Sequence, residues 1–364
     1  MVPVVGDRPT IYDVARAAGV AASTVSRAYS RPGRVNADTA RTIFAAADRI
    51  GYRARRIVGA PGRRTGAVAL MVSDITNPFY GELIKGAERA ARLAGYALLL
   101  SDTSESGAIE RDVVERTLDL VEGVVLASSR MTDSALRTIA KQRPLVLLNR
   151  RMPDASCIVV DNDSGVRLAV EHLARLGHGA VSYVAGPAAS WTEGARWQAL
   201  RTVGAELGLR VRRIDPGGPP TVRTGFRAAP RVVEQAATAV LAYNDAVAVG
   251  LVKGLHRLGV AVPDAVSVVG FDNVPLAEIV EPGLTTVTAP MRRAGAAGVG
   301  SVLALAAGRQ PGGQTLVLPV KLVVRGSTGP LSAAGITSPR PGAPPARPGR
   351  TPRDPPTPGP GSPG

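Results

Sequence analysis

Short, continuously apolar segments alternate with helix-like segments from residue 65 to about residue 328, and this alternation restricts the fold more than any other feature. A strand that is apolar along its whole length is buried on both faces, which is typical of parallel sheets covered by helices. The predicted strands are residues 67–72, 96–100, 124–127, 145–148, 157–160, 181–185, 238–242, 266–269 and a late group at 316–324. The predicted helices are residues 79–93, 109–120, 133–142, 164–176, 192–207, 227–235, 245–258 and 291–307. The series starts again at residue 157, so we predict two α/β lobes with a ligand-binding cleft between them.

Three shorter helical patterns precede the lobes, at residues 11–18, 22–29 and 37–50. Thr10 and Asn36 are suited to cap the first and third of them, because their side-chain oxygens accept backbone N–H bonds. The apolar positions of the three helices close a small core with few large side chains. By spacing alone, they fit either a helix-turn-helix DNA-binding domain or a small helical bundle with a solvated polar face.

The second of these helices has an outward surface that suits a DNA major groove. Arg27 can donate two hydrogen bonds to a guanine edge, which is the commonest specific contact. Ser23 and Ser26 are better suited to phosphates or to single-bond contacts. The predicted DNA-binding residues are Thr10, Ala22, Ser23, Thr24, Ser26, Arg27, Ser30, Asn36, Arg55 and Arg56.

Positive charge is concentrated near the N-terminus. The chain has a formal net charge of +15, and residues 1–64 contribute more than half of it through 12 arginines and 4 aspartates. A basic head on a nearly balanced body is expected of a protein that contacts DNA phosphates. GC-rich coding DNA also raises the arginine content, so the charge supports the prediction without carrying it alone.

Several short motifs follow one another in a fixed order between Thr10 and Tyr52. They are Tyr12-Asp13-Val14-Ala15, Gly19-Val20, Ser23-Thr24-Val25-Ser26-Arg27, Val35 with Thr39 and Arg41, and Gly51-Tyr52. Together they closely resemble the helix-turn-helix head of the lac-repressor (LacI/GalR) family. The resemblance continues in the body through Val72 to Tyr80, Val160-Asp161-Asn162, Leu176-Gly177-His178, Trp191 to Arg196, Asn244-Asp245, Val262-Pro263-Asp264, Val268 to Asn273 and Leu284-Thr285-Thr286-Val287. It covers residues 8–328 and implies a periplasmic-binding-protein-like body whose two lobes are joined by three crossovers.

The composition and the resemblance together divide the chain into four parts. We predict a helix-turn-helix DNA-binding domain at residues 8–52, a basic linker at 53–64, and a two-lobe effector-binding and dimerisation domain at 65–329. Residues 330–364 are rich in proline and glycine and poor in large apolar residues, so we predict a disordered tail.

The linker departs from the pattern of the resembled family. There it forms a hinge helix on operator DNA, whereas here Gly59, Pro61 and Gly62 oppose helix formation. A shorter hinge helix, with Ile57 or Val58 as an apolar wedge in the minor groove, and a flexible basic tether are both open.

Polar and aromatic residues near predicted strand ends and helix starts are expected to line the cleft. The candidate effector-binding residues are Asp74, Phe79, Asp161, Trp191, Arg196, Asn244 and Asp272. Carboxylates, amides and arginine bind vicinal hydroxyls, and a flat aromatic ring packs on sugar C–H groups, so the mixture suits a sugar. The resemblance implies effector contacts for Arg196, Asn244 and Asp272, and the alternative for each is a helix cap or a contact between lobes.

The residue inventory argues against an enzyme, a metalloprotein and a cofactor-binding protein. The three histidines, His172, His178 and His256, show no metal-ligand spacing, and no glycine-rich phosphate loop follows a strand. Catalytic residues, metals and cofactors are therefore not predicted. The single Cys157, the lack of a signal-peptide pattern and the lack of about 20 consecutive apolar residues indicate a cytoplasmic protein that does not enter a membrane.

We therefore predict a transcriptional regulator, most simply a repressor, that acts as a homodimer on double-stranded operator DNA. A small polar effector, a sugar or related metabolite, is expected to change lobe closure and so the spacing of the two heads. A non-sugar effector such as a nucleobase or a phosphate ester is the main alternative. A solute-binding protein shares the two-lobe body, but it predicts a signal peptide and no basic helical head.

Overall fold

The computed structural model describes residues 9–30, 35–50, 52, 65–309 and 315–332. The predicted basic linker at residues 53–64, with Arg55 and Arg56, lies outside the described residues, and so does nearly all of the predicted tail. Of Ser30, only the backbone is described.

The head contains three short helices: α1 (Ile11–Ala18), α2 (Ala22–Ser30) and α3 (Ala37–Arg49). At the start of α1, the carboxylate of Asp13 accepts hydrogen bonds from the backbone N–H and the hydroxyl of Thr10. At the start of α3, Asn36 accepts from the backbone N–H of Asp38 at 2.9 Å. The core is small, as predicted, and consists of Val14, Ala15, Val25, Ala28, Ile43 and Ala47.

The first lobe is built on a six-stranded parallel sheet with the strand order β11-β5-β4-β3-β1-β2. Its strands are β1 (Ala67–Val72), β2 (Ala97–Asp102), β3 (Val124–Ala127), β4 (Leu145–Leu148), β5 (Ser156–Val160) and β11 (Leu316–Leu318). Its helices are α4 (Phe79–Leu93), α5 (Gly107–Thr117), α6 (Asp133–Ala140) and α12 (Met291–Ala306). Every residue of β1, β3 and β4 is buried, which explains why their sequences are apolar throughout.

The second lobe is built on a six-stranded sheet with the order β12-β10-β9-β8-β6-β7. Its strands are β6 (Ala180–Val184), β7 (Arg210–Ile214), β8 (Ala239–Ala242), β9 (Ser267–Asp272), β10 (Thr285–Thr288) and β12 (Leu322–Val323), of which β12 pairs antiparallel. Its helices are α7 (Asn162–Arg175), α8 (Trp191–Glu206), α9 (Val222–Glu234), α10 (Asp245–Arg257) and the short α11 (Leu276–Ile279).

Several elements of the second lobe differ from the sequence prediction, and the short helix α11 was not predicted. The strand β7 was not predicted, because it lies at the sheet edge and three of its five residues are exposed arginines. The strand β10 was also not predicted, because it is polar and has no apolar run. The hydroxyl of its Thr285 donates to the carbonyl of Arg325. Helix α9 begins at Val222, five residues before the predicted start, because Thr221 caps it through Thr224 N–H.

The chain crosses between the lobes three times, as the resemblance implies. The crossovers lie at Asp161, at residues 289–290 and at residues 319–321. One apolar cluster extends across both lobes, from Val68 and Leu83 in the first to Val181 and Phe271 in the second. The polar residues at the carboxyl ends of both sheets are consequently held on either side of one cleft.

Candidate functional site

A pocket lies between the lobes, and we refer to it as the interlobe pocket. The first lobe contributes Asn77, Phe79, Tyr80, Glu105, Ser128, Arg130 and Asn149 to its lining. The second lobe contributes Thr192, Arg196, Pro220, Tyr243, Asn244 and Asp272. Most of these residues lie at or just beyond the carboxyl ends of parallel strands, which is where α/β proteins bind ligands.

Arg196 is the most extensively bonded side chain of the interlobe pocket. Its Nε donates to Asn162 Oδ1 at 2.9 Å, and its Nη1 donates to the carbonyl oxygen of Tyr243. Its Nη2 lies 3.6 Å from Asp272 Oδ1, and its guanidinium carbon lies 3.5 Å from the centre of the Phe271 ring. These contacts fix the guanidinium plane before any ligand binds, which lowers the entropy that binding costs.

Two buried carboxyl groups share this one guanidinium. Burial raises the pKa of Asp272 well above its usual range, and burial raises the pKa of Asp245 to about 7. Asp245 accepts hydrogen bonds from the hydroxyl of Thr286 and from the backbone N–H of Val274. With one cation for two carboxyl groups, ionisation of both carboxyl groups together is disfavoured.

Asn244 caps helix α10 and also holds the wall of the pocket. Its Oδ1 accepts from the backbone N–H of Val247 at 2.9 Å, and its Nδ2 donates to the carbonyl oxygen of Pro220 at 3.3 Å. The neighbouring Asp245 does not supply the cap. It faces the interior of the second lobe instead.

A second ion pair, between Glu105 and Arg130, lines the pocket from the first lobe and was not predicted. Arg130 Nη2 lies 2.6 Å from Glu105 Oε2, and Arg130 Nη1 donates to the carbonyl of Ser128 at 3.0 Å. The residues that directly follow β3 and β4, Ser128 and Asn149, also line the pocket. Position after a predicted strand would have identified these two, whereas Glu105 and Arg130 lie three residues beyond their strands.

The structure separates the predicted effector-binding residues into two groups. Phe79, Arg196, Asn244 and Asp272 line the interlobe pocket. Asp74 accepts from the N–H and hydroxyl of Thr76, Asp161 caps α7 through Ser164 N–H, and Trp191 is the half-buried first residue of α8. These last three are not among the residues that line the pocket.

The predicted DNA-binding residues of the head lie mainly along α2. Ser23 and Arg27 are exposed, whereas Ala22, Thr24 and Ser26 are partly buried. Arg27 lies back along the helix, where its Nε donates to the carbonyl of Ser23 at 3.2 Å and its Nη2 to the hydroxyl at 3.3 Å. Thr10 and Asn36 are exposed at the starts of α1 and α3.

His178 and Cys157 both have structural surroundings. Both ring nitrogens of His178 are within hydrogen-bond distance of partners, Thr238 on one side and Ser267 and the Gly329 carbonyl on the other. Cys157 is a buried free thiol. Within the described ranges there is no cluster of side chains that could bind a metal ion, and no helix is long and apolar enough to cross a membrane.

Comparison with known proteins explains the combination of head and lobes. Residues 10–54 match the family model "Bacterial regulatory proteins, lacI family", and residues 170–328 match the "Periplasmic binding protein-like domain". The HTH-type transcriptional regulator DegA of Bacillus subtilis is 32% identical over 337 residues, which are 89% of this chain and 99% of DegA. This chain belongs to the LacI family.

Solved structures of LacI-family proteins have the same fold. A lac repressor dimer bound to operator and the anti-inducer ONPF has a TM-score of 0.68 and 25% identity, covering 89% of this chain and all of that one. The transcriptional regulator CelR in complex with cellobiose has a TM-score of 0.65 and 28% identity, covering 88% of this chain and all of CelR. The lacI-type head and the alignment with DegA over 89% of this chain together show that this LacI-family chain is a DNA-binding transcriptional regulator and not an enzyme.

Proposed function

We propose that this LacI-family regulator is a repressor controlled by a neutral, hydroxyl-rich effector, a sugar, that binds in the interlobe pocket. The observation that carries this proposal is that both guanidinium groups lining the pocket are already matched by carboxyl groups. Ribose and cellobiose complexes among the structural relatives support the same class of effector.

The charge balance of the pocket favours a neutral ligand over a phosphate ester. A phosphate group needs a cation that has no carboxylate partner, because an existing ion pair offers an anion little net attraction. Arg130 is paired with Glu105, and Arg196 with Asp272. Carboxylates, amides and guanidinium N–H groups together both accept from and donate to hydroxyl groups, which is what a sugar requires.

A ligand in this position contacts both lobes at once, so its binding energy depends on the angle between them. The hydroxyl of Thr192, in the second lobe, already donates to the carbonyl of Asn149, in the first, at 3.2 Å. A sugar that binds one degree of closure more tightly than another shifts the equilibrium towards it by that difference in affinity. In this proposal a change in the angle between the lobes also moves the heads, because the linker joins them to β1 of the first lobe.

We further propose that a second copy of this chain covers exposed apolar side chains on both lobes. Leu93 is 73% exposed at the end of α4, and Leu99 and Leu100 are exposed on the edge strand β2. In the second lobe, Ile279 is 76% exposed on α11, and Phe226 is exposed on α9. A homodimer carries two heads, which fits a pseudo-palindromic operator.

The DNA-binding proposal is tested by Arg27→Ala, because this side chain has the donors to read a guanine edge. The variant should lose at least tenfold of its preference for operator over random DNA at matched salt, which corresponds to about 1–3 kcal/mol for a bidentate base contact. Arg49→Ala removes the same charge from the last turn of α3 and should weaken binding to both DNAs equally. An unchanged operator preference in Arg27→Ala contradicts its assigned role.

The effector proposal is tested by calorimetry of the wild type against neutral sugars and their phosphate esters. Arg196→Ala should lose the sugar response in operator gel shifts while it still binds operator DNA. Arg167→Ala is the matched control, since it breaks an exposed ion pair with Glu206 in the same lobe. A sugar response that survives in Arg196→Ala contradicts the assignment of the pocket.

A further inference from the structure

The Glu105–Arg130 pair is buried, lines the interlobe pocket and has no counterpart in the sequence prediction. The Arg130 side chain is 4% exposed and the Glu105 side chain 14% exposed. We propose that this pair is the specificity determinant of the first lobe: it binds a hydroxyl pair of a neutral effector and excludes anionic effectors such as sugar phosphates. This inference rests on the proposed sugar-binding function and assigns the groups that set its selectivity.

The backbone around the pair is built in an unusual conformation. Ser104, Glu105 and Ser128 have positive φ angles of 50°, 57° and 60°, a region that non-glycine residues rarely adopt. Each such residue costs about 1–3 kcal/mol unless its surroundings compensate, and such residues occur preferentially at binding sites. The conformation therefore indicates that the position of this ion pair is maintained at the expense of local backbone stability.

Two further contacts hold Arg130 in place from the side of α5. The carboxylate of Glu110 accepts the backbone N–H of Arg130 at 2.8 Å. A Cβ atom at Gly107 would lie 2.8 Å from the carbonyl oxygen of Arg130, so only glycine permits this close approach. The backbone N–H and the carbonyl group of Arg130 are thus both held against α5. This fixes the point from which the guanidinium extends, as expected of a preorganised recognition group.

The pair leaves donors and an acceptor side by side for a ligand. Among described residues, the guanidinium of Arg130 uses three of its five N–H groups, two towards Glu105 Oε2 and one towards the Ser128 carbonyl. Glu105 accepts through Oε2 in these bonds, and Oε1 remains to accept from a hydroxyl. One ligand hydroxyl can donate to Oε1 while its neighbour accepts from the guanidinium, which describes a vicinal diol.

The two ion pairs face the pocket from opposite lobes. Arg196 and Asp272 come from the second lobe, and Glu105 and Arg130 come from the first. A sugar with hydroxyl groups at both ends can therefore bind both pairs, whereas an anionic group at the first-lobe end meets the carboxylate of Glu105. Removing the charge of Glu105 leaves Arg130 without an anionic partner and should convert this end of the pocket into an anion site.

The test measures the binding of inorganic phosphate by calorimetry to the full-length wild type and to three variants. Glu105→Gln should bind phosphate at least tenfold more tightly than the wild type. The double variant Glu105→Gln with Arg130→Gln should return to the wild-type value, because it has neither charge. Asp112→Asn is the matched control, since it breaks the exposed ion pair between Asp112 and Arg116 on α5 and should leave phosphate binding unchanged.

Sugar selectivity provides a second, independent measurement. Across a panel of neutral sugars and their 6-phosphates, Arg130→Gln should lower the affinity for the neutral sugar that the wild type binds at least tenfold. It should not raise the affinity for the phosphate ester of that sugar. Equal phosphate affinity in Glu105→Gln and the wild type overturns the inference, as does unchanged sugar affinity in Arg130→Gln. If the wild type binds no neutral sugar while it still binds operator, the proposed effector class fails, and the phosphate experiment alone decides the role of Glu105.

Discussion

Two glycines on helix α12 allow a direct test of how the first lobe is held together. At Gly295 an added Cβ would lie 2.0 Å from the backbone oxygen of Leu83 on α4, whereas at Gly300, on the same helix, nothing lies within 4 Å. Alanine at Gly295 therefore forces the two helices apart by more than about 1 Å, since carbon and oxygen atoms do not approach within about 3 Å. Overpacking of this kind costs about 1–3 kcal/mol, and backbone atoms cannot move aside as a side chain can.

Alanine at Gly300 should have the opposite effect. Replacing an exposed helical glycine stabilises by about 0.5–1 kcal/mol, because alanine loses less backbone entropy on folding. The two variants add the same methyl group at two positions of one helix, so their unfolding free energies should differ by about 1.5–4 kcal/mol. Urea unfolding followed by circular dichroism measures the difference. Equal stability of Gly295→Ala and Gly300→Ala refutes the close α4–α12 contact.

Because α4 begins at Phe79, which lines the interlobe pocket, Gly295→Ala should also weaken effector binding, measured by calorimetry, whereas Gly300→Ala should not. Burial raises the pKa of Asp245 from 3.8 to about 7, so the folded protein keeps a proton that the unfolded chain releases. The free energy of unfolding therefore falls as pH rises from 3.8 to about 7. Asp245→Asn should reduce this dependence of the unfolding free energy on pH, measured by urea unfolding. Burial lowers the pKa of His178 from 6.5, so its contribution has the opposite sign and is lost as pH falls below that value; His178→Gln should reduce the acid-side loss in the same assay. Asn36→Ala removes the acceptor that caps α3 and should lower the stability of the head by about 1 kcal/mol. On heating, the variant should lose operator binding earlier in a binding assay and helical signal earlier in circular dichroism.

The strands that sequence reasoning identified are those with an apolar run, most of which are buried, although the exposed edge strand β2 was identified in the same way. All six residues of β1 are buried, so the physical requirement for apolar side chains is visible at every position. The edge strand β7 has a neighbour on one side only, and its exposed arginines satisfy the same backbone pairing without an apolar run. Pairing with a segment distant in sequence determines such a strand, so the local sequence pattern does not predict it.

The candidate site divides in a similar way. Asn244 and Asp272 stand at the end of β8 and β9, so strand prediction alone brings them to the cleft. Glu105 and Arg130 reach the same pocket through loops whose backbone adopts left-handed conformations at serine residues. Serine gives little indication of such a conformation, in contrast to glycine, and the pair was therefore not predicted.

The groups that line the pocket are bonded to the segments on which any change of lobe angle depends. Arg196 donates to Asn162, which directly follows the crossover at Asp161, and the carbonyl of Asp272 accepts from the backbone N–H of Ala289 in the second crossover. The two residues of the Arg196–Asp272 pair are thereby bonded to two of the three crossovers. Rotation of one lobe against the other changes the backbone angles of the crossovers and leaves each sheet intact. In the proposed mechanism the crossovers therefore sense the effector, whatever the sequence of the linker at residues 53–64.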